Sequence, residues 1–462
     1  MLNLNNVNKI FICGIGGIGT SAVGRMFKGL GKNVSGSDIV ASEITDGLLK
    51  EGINVVIGQK AENISANIGL LVYSDAVPEN NAERLRAQEL NIPAMSYFEA
   101  LGLLTKQKKT IAVVGTNGKS SVTAMIGQCM IDAGMEPSII LGSLFPKIGA
   151  NYRYGKSDWF VAEACEYRAH FLHLSPWAIV LTNIEEEHMD FFTNMAHVLS
   201  VYQAFINKID PNGILIINRD DINIRKLRLP ACKVFSFGAS ADADAQIKNL
   251  RHENGLQKFN VIFQGRDLGE FVLNIPGRFY LYNALAAITF CLAINVALGI
   301  LKKAIADYKG IWRRFEMIKN DDIAVISDYG HHPTAVSGTI ETLKQAYPLR
   351  RLVVVFQPHQ YDRTKKLFKQ FVESLQGADV LILPEVYDVA GREENKSVGS
   401  KDLAEAVKKE FGKREVYYCE NLQQTVEKVN SMLRKGDVVL VMGAGDVYVI
   451  SQNVNYDLRK RK

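Results

Sequence analysis

The sequence predicts an α/β protein of three domains, each built on a mostly parallel β-sheet. The first observation is length, because 462 residues correspond to about three domains of ordinary size. The second is that short apolar runs alternate with helical stretches along most of the chain, which is the pattern of β–α–β units. The third is that glycine-rich turns at residues 14–19 and 115–118 each follow an apolar run and precede a helix.

The composition is that of a globular protein with several apolar cores. Hydrophobic residues make up 47% of the chain and charged residues 22%, which is ordinary for this class. The net charge is +5, and the tail Arg459–Lys462 carries four of these charges, so the remainder does not indicate a nucleic-acid partner. The six cysteines form no CxxC pair, which favours reduced thiols. With no apolar run of ~18 residues and no signal-peptide pattern, we expect a cytoplasmic protein without membrane insertion.

The N-terminal domain, expected at residues 1–106, begins with a G-x-G-x-x-G turn between the strand Lys9–Cys13 and a helix. An acidic residue follows at the end of the next strand, as in dinucleotide-binding β–α–β units. The turn is compatible with NAD(P), with the diphosphate of a sugar nucleotide, or with a purely structural role. The candidate ligand-binding residues are Gly14, Gly16, Gly17, Gly19, Asp38 and, at a later strand end, Ser74.

The central domain, expected at residues 107–313, opens with a predicted phosphate-binding loop. The apolar strand Ile111–Val114 runs into a glycine-rich turn, and a lysine and a hydroxyl residue follow before a helix. Backbone N–H groups in such a turn attract phosphate oxygens, the lysine adds positive charge, and the hydroxyl can bind Mg²⁺. The spacing is not that of Walker A, because Val113 stands where its first glycine would be. The predicted residues are Gly115, Thr116, Asn117, Gly118, Lys119, Ser120 and Ser121.

Two further central strands end in polar groups that suit a metal ion. Glu163 follows the apolar run at 158–162, and His188 follows the run at 177–182. Because the carboxyl ends of parallel strands share one edge of a sheet, we expect both side chains to join Ser120 as metal ligands. The more polar residues 239–271 predict a small antiparallel subdomain. Asn283, near the start of the next helix, is a candidate for contact with a nucleotide base.

The C-terminal domain, expected at residues 314–462, repeats strand–loop–helix units and predicts another doubly wound sheet. Asp328 and two adjacent histidines, His331 and His332, follow one predicted strand, and His359 and Arg363 follow the next. Adjacent histidines flanked by Asp and Pro indicate a site.

Taken together, these motifs resemble those of the Mur ligases of peptidoglycan synthesis. The resemblance covers nearly the whole chain and is most specific at Gly14–Gly19, Gly115–Ser120, Asn183–Asp190 and Asp328–Thr334. The segment Phe356–Arg363 is similar to that of the members that use L-alanine, although Gln360 stands where many of them have arginine.

The resemblance implies an N-terminal Rossmann-like domain that binds UDP, a central P-loop-type ATPase domain and a C-terminal Rossmann-like domain. It implies ligation of L-alanine to UDP-N-acetylmuramate, driven by ATP with Mg²⁺ through an acyl phosphate. In this scheme Lys119 holds the β- and γ-phosphates, Ser120 and Glu163 hold one Mg²⁺, and His188 holds a second.

The resemblance also assigns expected roles to polar residues after the central domain's loop region. Those expected near the nucleotide or the reacting centre are Asn283, Arg314, Asp328 and His331. His359 and Arg363 would face the amino acid and the muramoyl group, and Arg363 suits a carboxylate because its planar fork pairs with two oxygens.

Three alternatives remain at this stage. The nearest is a recycling ligase that joins an intact tripeptide to the same sugar nucleotide. The others are an NAD(P)-dependent oxidoreductase, suggested by the first glycine turn alone, and a UDP-sugar sensor without catalytic activity. The sequence leaves open the preference among alanine, serine and glycine, and whether the protein is a monomer or a homodimer.

Overall fold

The fold is described here from a computed structural model of the chain. It describes residues 2, 4–188, 191–253, 256–388, 396–412 and 415–456, so Met189 and Asp190 of the third motif and the basic tail lie outside the described residues. The described residues form two compact units, residues 1–250, 259–272 and 282–308 in the first and residues 251–258, 273–281 and 309–462 in the second. Among the described helices, none has the length and apolar character needed to cross a membrane.

The first sheet contains five strands, namely β1 (Lys9–Cys13), β2 (Asn33–Asp38), β3 (Asn54–Ile57), β4 (Leu70–Tyr73) and β5 (Ala94–Ser96). Its helices are α1 (Ile18–Gly29), α2 (Glu43–Lys50), α3 (Ala82–Glu89) and α4 (Tyr97–Thr105). The order is β3-β2-β1-β4-β5 and every pair is parallel. The direction of winding reverses between β1 and β4, and ligands bind such sheets at this reversal.

The second sheet contains ten strands, namely β6 (Lys109–Val114), β7 (Ser138–Phe145), β8 (Ala150–Arg153), β9 (Trp159–Glu163), β10 (Ala178–Leu181), β11 (Ile214–Asn218), β12 (Lys233–Gly238), β13 (Ala245–Glu253), β14 (Leu256–Phe263) and β15 (Arg266–Leu273). Its helices are α5 (Lys119–Asp132), α6 (Met195–Ile206), α7 (Arg278–Ala293) and α8 (Leu298–Ala306). The order is β15-β14-β13-β12-β11-β10-β6-β9-β7-β8.

The predicted antiparallel subdomain is the edge of this second sheet. Strands β13, β14 and β15 are neighbours there, and only Gln264 and Gly265 connect β14 to β15. A connection of two residues can join only antiparallel strands, because a parallel pair needs a crossover of a dozen residues or more. At the centre, Ile111 to Val114 are fully buried, since helices cover both faces of a parallel sheet.

The third sheet lies in the second unit and contains six strands, namely β16 (Glu316–Asn320), β17 (Ala324–Asp328), β18 (Leu352–Phe356), β19 (Val380–Pro384), β20 (Glu415–Cys419) and β21 (Val438–Met442). Its helices are α9 (Pro333–Ala346), α10 (Tyr361–Lys366), α11 (Phe368–Ser374), α12 (Ser400–Phe411), α13 (Leu422–Met432) and α14 (Tyr448–Asn453). The order is β16-β17-β21-β18-β19-β20, with β16 antiparallel to β17 and the other pairs parallel. This architecture confirms the predicted fold class.

Candidate active site

The glycine turn after β1 is held against the other predicted segments of the first sheet. The backbone N–H of Gly16 donates to the Asp38 carboxylate at 2.8 Å. Gly14 has a φ of +78°, in the left-handed region that favours glycine, and a Cβ there would lie 3.1 Å from that of Ser74. The structure therefore brings Gly14, Gly16, Asp38 and Ser74 together at the reversal in strand order.

The remaining glycines of the turn lie at the start of α1. Gly17 is the N-cap of the helix. A Cβ on Gly19 would lie 2.8 Å from the ring of Tyr97, a residue that the sequence analysis did not single out. Burial raises the pKa of the Tyr97 phenol, and the nearby Cys165 and Glu163 raise it further. Tyr97 therefore lies in the electrostatic environment of the predicted metal ligand Glu163.

The predicted phosphate loop depends on glycine at two positions. Gly115 and Gly118 have φ angles of +140° and +86°. A side chain on Gly115 would collide with Thr182, and one on Gly118 would collide with the amide oxygen of Asn283. Asn283 therefore lies beside the loop. Gly118 is also the N-cap of α5, and glycine offers no side chain to cap the first N–H groups of that helix.

Asn183 fixes the conformation of the loop from the neighbouring strand. Its side-chain oxygen accepts the backbone N–H of Asn117 at 2.8 Å, and its side-chain nitrogen donates to the carbonyl of Asn117 at 3.0 Å. Its own carbonyl accepts the N–H of Thr116 at 3.0 Å. The hydroxyl of Thr182 also donates to the Asn117 carbonyl at 2.6 Å. The sequence placed Asn183 in a motif but gave no reason to assign it this structural role.

Lys119, the first residue of α5, directs its ammonium group into the loop. It donates to the carbonyls of Gly115 and Thr116 at 2.7 and 3.0 Å and to Glu166 Oε1 at 2.9 Å. Burial alone would lower the pKa of Lys119, but the carboxylates of Glu166, Glu187 and Glu163 outweigh burial and raise it. Lys119 is therefore a firmly charged ammonium at the N-terminus of a helix, where anions bind.

Glu163 ends β9 directly beside the phosphate-loop strand. It lies opposite Val113 in the register of β6 and β9, and Val113 is two residues before the glycine turn. One of its carboxylate oxygens accepts the backbone N–H of Gly142 at 2.6 Å, which holds the side chain in place. Ser120 and Ser121 lie in the first turn of α5 and are buried.

His188, predicted as a metal ligand, lies close to two carboxylates that the sequence analysis did not select. Its Nε2 atom is 3.6 Å from Glu166 Oε1. Among the described His, Cys, Asp and Glu residues, Glu166, Glu187 and His188 form the group whose ligand atoms all lie within 4.8 Å of one another. Two carboxylates and an imidazole are suitable ligands for a divalent cation. The sequence contained Glu166 and Glu187 beside the chosen residues, but nothing in it distinguished them from solvated acids.

Asp220 ties the loop after β11 to helix α7. Its carboxylate accepts the Tyr282 hydroxyl at 2.6 Å, the N–H of Ala239 at 2.6 Å and the hydroxyl of Ser240. Burial would raise the pKa of Asp220, but these hydrogen bonds outweigh burial and lower it to about 2. Since Tyr282 precedes Asn283, this contact also helps to hold Asn283 beside the phosphate loop.

We expect Asp220→Asn to lower the free energy of unfolding by about 1 kcal/mol at neutral pH. This value is smaller than the full pKa shift implies, because the carboxylate is partly exposed to solvent. The folded-state pKa is depressed, so this stability is fully present above the ordinary pKa of 3.8 and is lost as the pH falls through about 2. Urea unfolding at several pH values should show the difference between the two proteins shrinking below about pH 4. A difference that stays undiminished between neutral pH and pH 2 would contradict this account.

In the second unit, Asp328 lies at the end of β17 and organises the loop that follows. It accepts the backbone N–H groups of Phe315 and Gly330, both at 2.8 Å. Burial raises the pKa of Asp328, although the charge of Arg314 opposes the shift. The Arg314 guanidinium lies 4.5 Å from the ring centre of Tyr329. Arg314 and Asp328 are therefore close neighbours, and their role near the nucleotide stays a prediction.

The two predicted histidine segments also meet in the second unit. The ring centres of His331 and His359 are 5.9 Å apart. The His359 ring stacks on Tyr387 at 5.3 Å with an angle of 9° between the planes, and Gln360 donates its N–H to the Tyr387 carbonyl at 3.1 Å. Gln360 has a φ of +71°, a conformation that is uncommon for a residue other than glycine. Arg363 then lies in α10, one turn further on.

Comparison with known proteins covers almost the whole chain. The model of the Mur ligase family catalytic domain matches residues 9–109, that of the Mur ligase middle domain matches residues 113–291, and that of the Mur ligase glutamate ligase domain matches residues 313–445. These three segments correspond to the three sheets in order.

Individual relatives match over the same length. The chain is 35% identical to the UDP-N-acetylmuramate–L-alanine ligase of Persephonella marina, over 99% of this chain and 98% of that protein. It is 37% identical to the ligase of the same name from Alkaliphilus metalliredigens, over 97% of each. The solved UDP-N-acetylmuramate–alanine ligase of Thermotoga maritima is similar with a TM-score of 0.82 at 27% identity, over 96% of this chain and 98% of that one. The chain therefore belongs to the Mur ligase family.

Proposed function

We propose that the protein is a cytoplasmic ligase that uses ATP to join L-alanine to the lactyl carboxylate of UDP-N-acetylmuramate in peptidoglycan precursor synthesis. The observation that carries this proposal is the edge of the second sheet, where the phosphate loop, Glu163 and His188 lie at or after the carboxyl ends of three neighbouring strands. The full-length similarity to ligases of this name supports it. The three matched segments also support domains with boundaries near residues 106 and 313.

The first chemical requirement is to activate a carboxylate, which is a poor acyl donor at neutral pH. Transfer of the terminal phosphoryl group of ATP to that carboxylate gives an acyl phosphate. Negative charge on the transferring oxygens is then stabilised by preorganised positive groups, and Lys119 with the first backbone N–H groups of α5 supplies these. Mg²⁺, where bound by Ser120, Glu163 and the His188 group, would add Lewis-acid stabilisation.

The second requirement is an amine that attacks the activated carbonyl. In this proposal Arg363 pairs with the carboxylate of L-alanine, because a guanidinium can bind both oxygens at once. His359 is the candidate group for accepting the proton that the amine must lose, and its orientation is fixed by stacking on Tyr387. The bond between carbonyl and nitrogen forms as phosphate leaves.

The activity can be tested by measuring phosphate release from ATP with UDP-N-acetylmuramate and Mg²⁺, comparing L-alanine, glycine, L-serine and the tripeptide. We expect turnover with L-alanine, and a product whose mass equals the sugar nucleotide plus alanine less water. UDP-N-acetylglucosamine is the matched control, because it lacks the lactyl carboxylate and should support no turnover.

Each other result points to a different function. Preferential use of the tripeptide would identify the recycling ligase. Binding of a nicotinamide cofactor without ATP turnover would favour the oxidoreductase, and binding of the sugar nucleotide alone would favour a sensor.

A further inference from the structure

Glu166 is a buried carboxylate that lies close to both the Lys119 ammonium and the His188 imidazole. Its Oε1 atom lies 2.9 Å from the Lys119 ammonium and 3.6 Å from His188 Nε2. The residue is 4% exposed, and its Oε2 atom is buried and accepts no hydrogen bond from the described residues. A buried carboxylate is costly unless its charge is paired and its oxygens are satisfied. Glu166 is thus only half satisfied by the protein.

The geometry of Lys119 creates a competition with phosphate. An ammonium group has three N–H donors. In the structure all three are directed at protein oxygens, the carbonyls of Gly115 and Thr116 and the carboxylate of Glu166. A direct hydrogen bond to a nucleotide phosphate therefore requires Lys119 to give up one of these partners.

Of the three partners, only Glu166 carries a charge, and breaking its contact with Lys119 costs free energy. If Lys119 turned to a phosphate, the carboxylate of Glu166 would lose the cation that balances it in a buried position. A divalent cation held by Glu166, Glu187 and His188 would restore that balance, and the ligand atoms of this group are already within 4.8 Å of one another. The unsatisfied Oε2 atom provides a further acceptor for such a cation.

We propose that Glu166 is a positioning residue with two alternative partners, Lys119 and a divalent cation, and that exchange between them couples cation binding to nucleotide binding. This inference rests on the proposed function, because it assumes that Lys119 contacts the nucleotide phosphates. The coupling is reciprocal, so the cation strengthens nucleotide binding by the factor by which the nucleotide strengthens cation binding.

The test is calorimetric binding of the non-hydrolysable analogue AMPPNP, with EDTA and with Mg²⁺, to the wild type and to Glu166→Gln. The amide keeps the shape of the side chain but removes its charge, so Lys119 is freed and a cation ligand is weakened. We expect Glu166→Gln to bind the metal-free analogue about tenfold more tightly than the wild type. We also expect the factor by which Mg²⁺ strengthens analogue binding to be about tenfold smaller in this variant. Thermal unfolding confirms that each variant is folded, and Glu166→Asp, which keeps the charge, should behave more like the wild type.

Two controls separate this exchange from a general effect of removing a negative charge. Glu186→Gln removes an exposed carboxylate nearby that is outside the group of three ligands. It should not appreciably change the affinity for the analogue, either with EDTA or with Mg²⁺. In a Lys119→Ala background, Glu166→Gln should no longer improve metal-free binding, because the competing lysine is gone.

The outcomes distinguish this inference from the proposed function. Tight analogue binding that Glu166→Gln leaves unchanged in both conditions would overturn the exchange while leaving the ligase proposal intact. An equal improvement with Glu186→Gln, or an improvement that survives Lys119→Ala, would also overturn it. Failure of the wild type to bind the analogue at all would remove the ATP-dependent function and this inference with it.

Discussion

Lys119→Ala should reduce kcat for L-alanine-dependent phosphate release by about 10³-fold, the size of effect expected when one preorganised charge-stabilising donor is removed. The reason is that Lys119 is the ammonium group held inside the phosphate loop, and its charge is reinforced by the surrounding carboxylates. Smaller losses would follow if its contribution were mainly to substrate binding, in which case KM for ATP would rise while kcat changed little. Steady-state kinetics with ATP varied at saturating sugar nucleotide and L-alanine measures both quantities.

Lys156→Ala is the matched control for this prediction. It removes the same charge and side chain from an exposed position in the same unit, and we expect unchanged kinetics. A folded Lys119→Ala protein that retained more than about a tenth of wild-type kcat would be incompatible with the role assigned to the loop.

Arg363→Ala should raise KM for L-alanine by about 100-fold, because truncation of one partner in a charged, hydrogen-bonded pair costs roughly 2–5 kcal/mol. The KM for UDP-N-acetylmuramate and for ATP should change little if the guanidinium contacts only the amino acid. The position supports this assignment, since Arg363 lies in the first turn of α10 and the N-cap of that helix, Gln360, directly follows the stacked His359. Initial rates with L-alanine varied over a wide concentration range provide the measurement.

Lys366→Ala tests whether any loss of positive charge on α10 has the same effect. Lys366 is an exposed residue of the same helix, and its removal should leave KM for L-alanine near the wild-type value. An unchanged KM in Arg363→Ala would show that another group binds the carboxylate, and a general rise in all three KM values would indicate a structural role for Arg363.

The sequence predicted several strands of the parallel sheets almost to the residue. The run predicted as Lys9–Cys13 is β1, and the run predicted as Ile111–Val114 lies within the buried part of β6. Such strands are buried on both faces, so their apolar runs are continuous and easily recognised. The helix of the phosphate loop begins at Lys119, so the lysine and hydroxyl residues that were expected to precede the helix form its first turn instead.

Contacts between segments distant in the chain were much harder to predict. Asn183 binds Asn117 from 66 positions away, and Glu166 pairs with Lys119 across 47 positions. Neither side chain differs in type from the solvated Asn and Glu residues around it. The stacking of Tyr387 on His359 likewise follows from the adjacency of β18 and β19 in the third sheet. Local patterns contain no information about such partners.

By itself, the sequence determined the α/β class, the positions of the two glycine turns and the membership of the Mur ligase family, because each depends on residue types at short, regular spacings. Only the tertiary structure decided which acidic side chains surround Lys119 and His188, and that Glu166 lies between them. The physical reason is that strand order in a sheet, rather than distance along the chain, selects which carboxyl-terminal loops are neighbours.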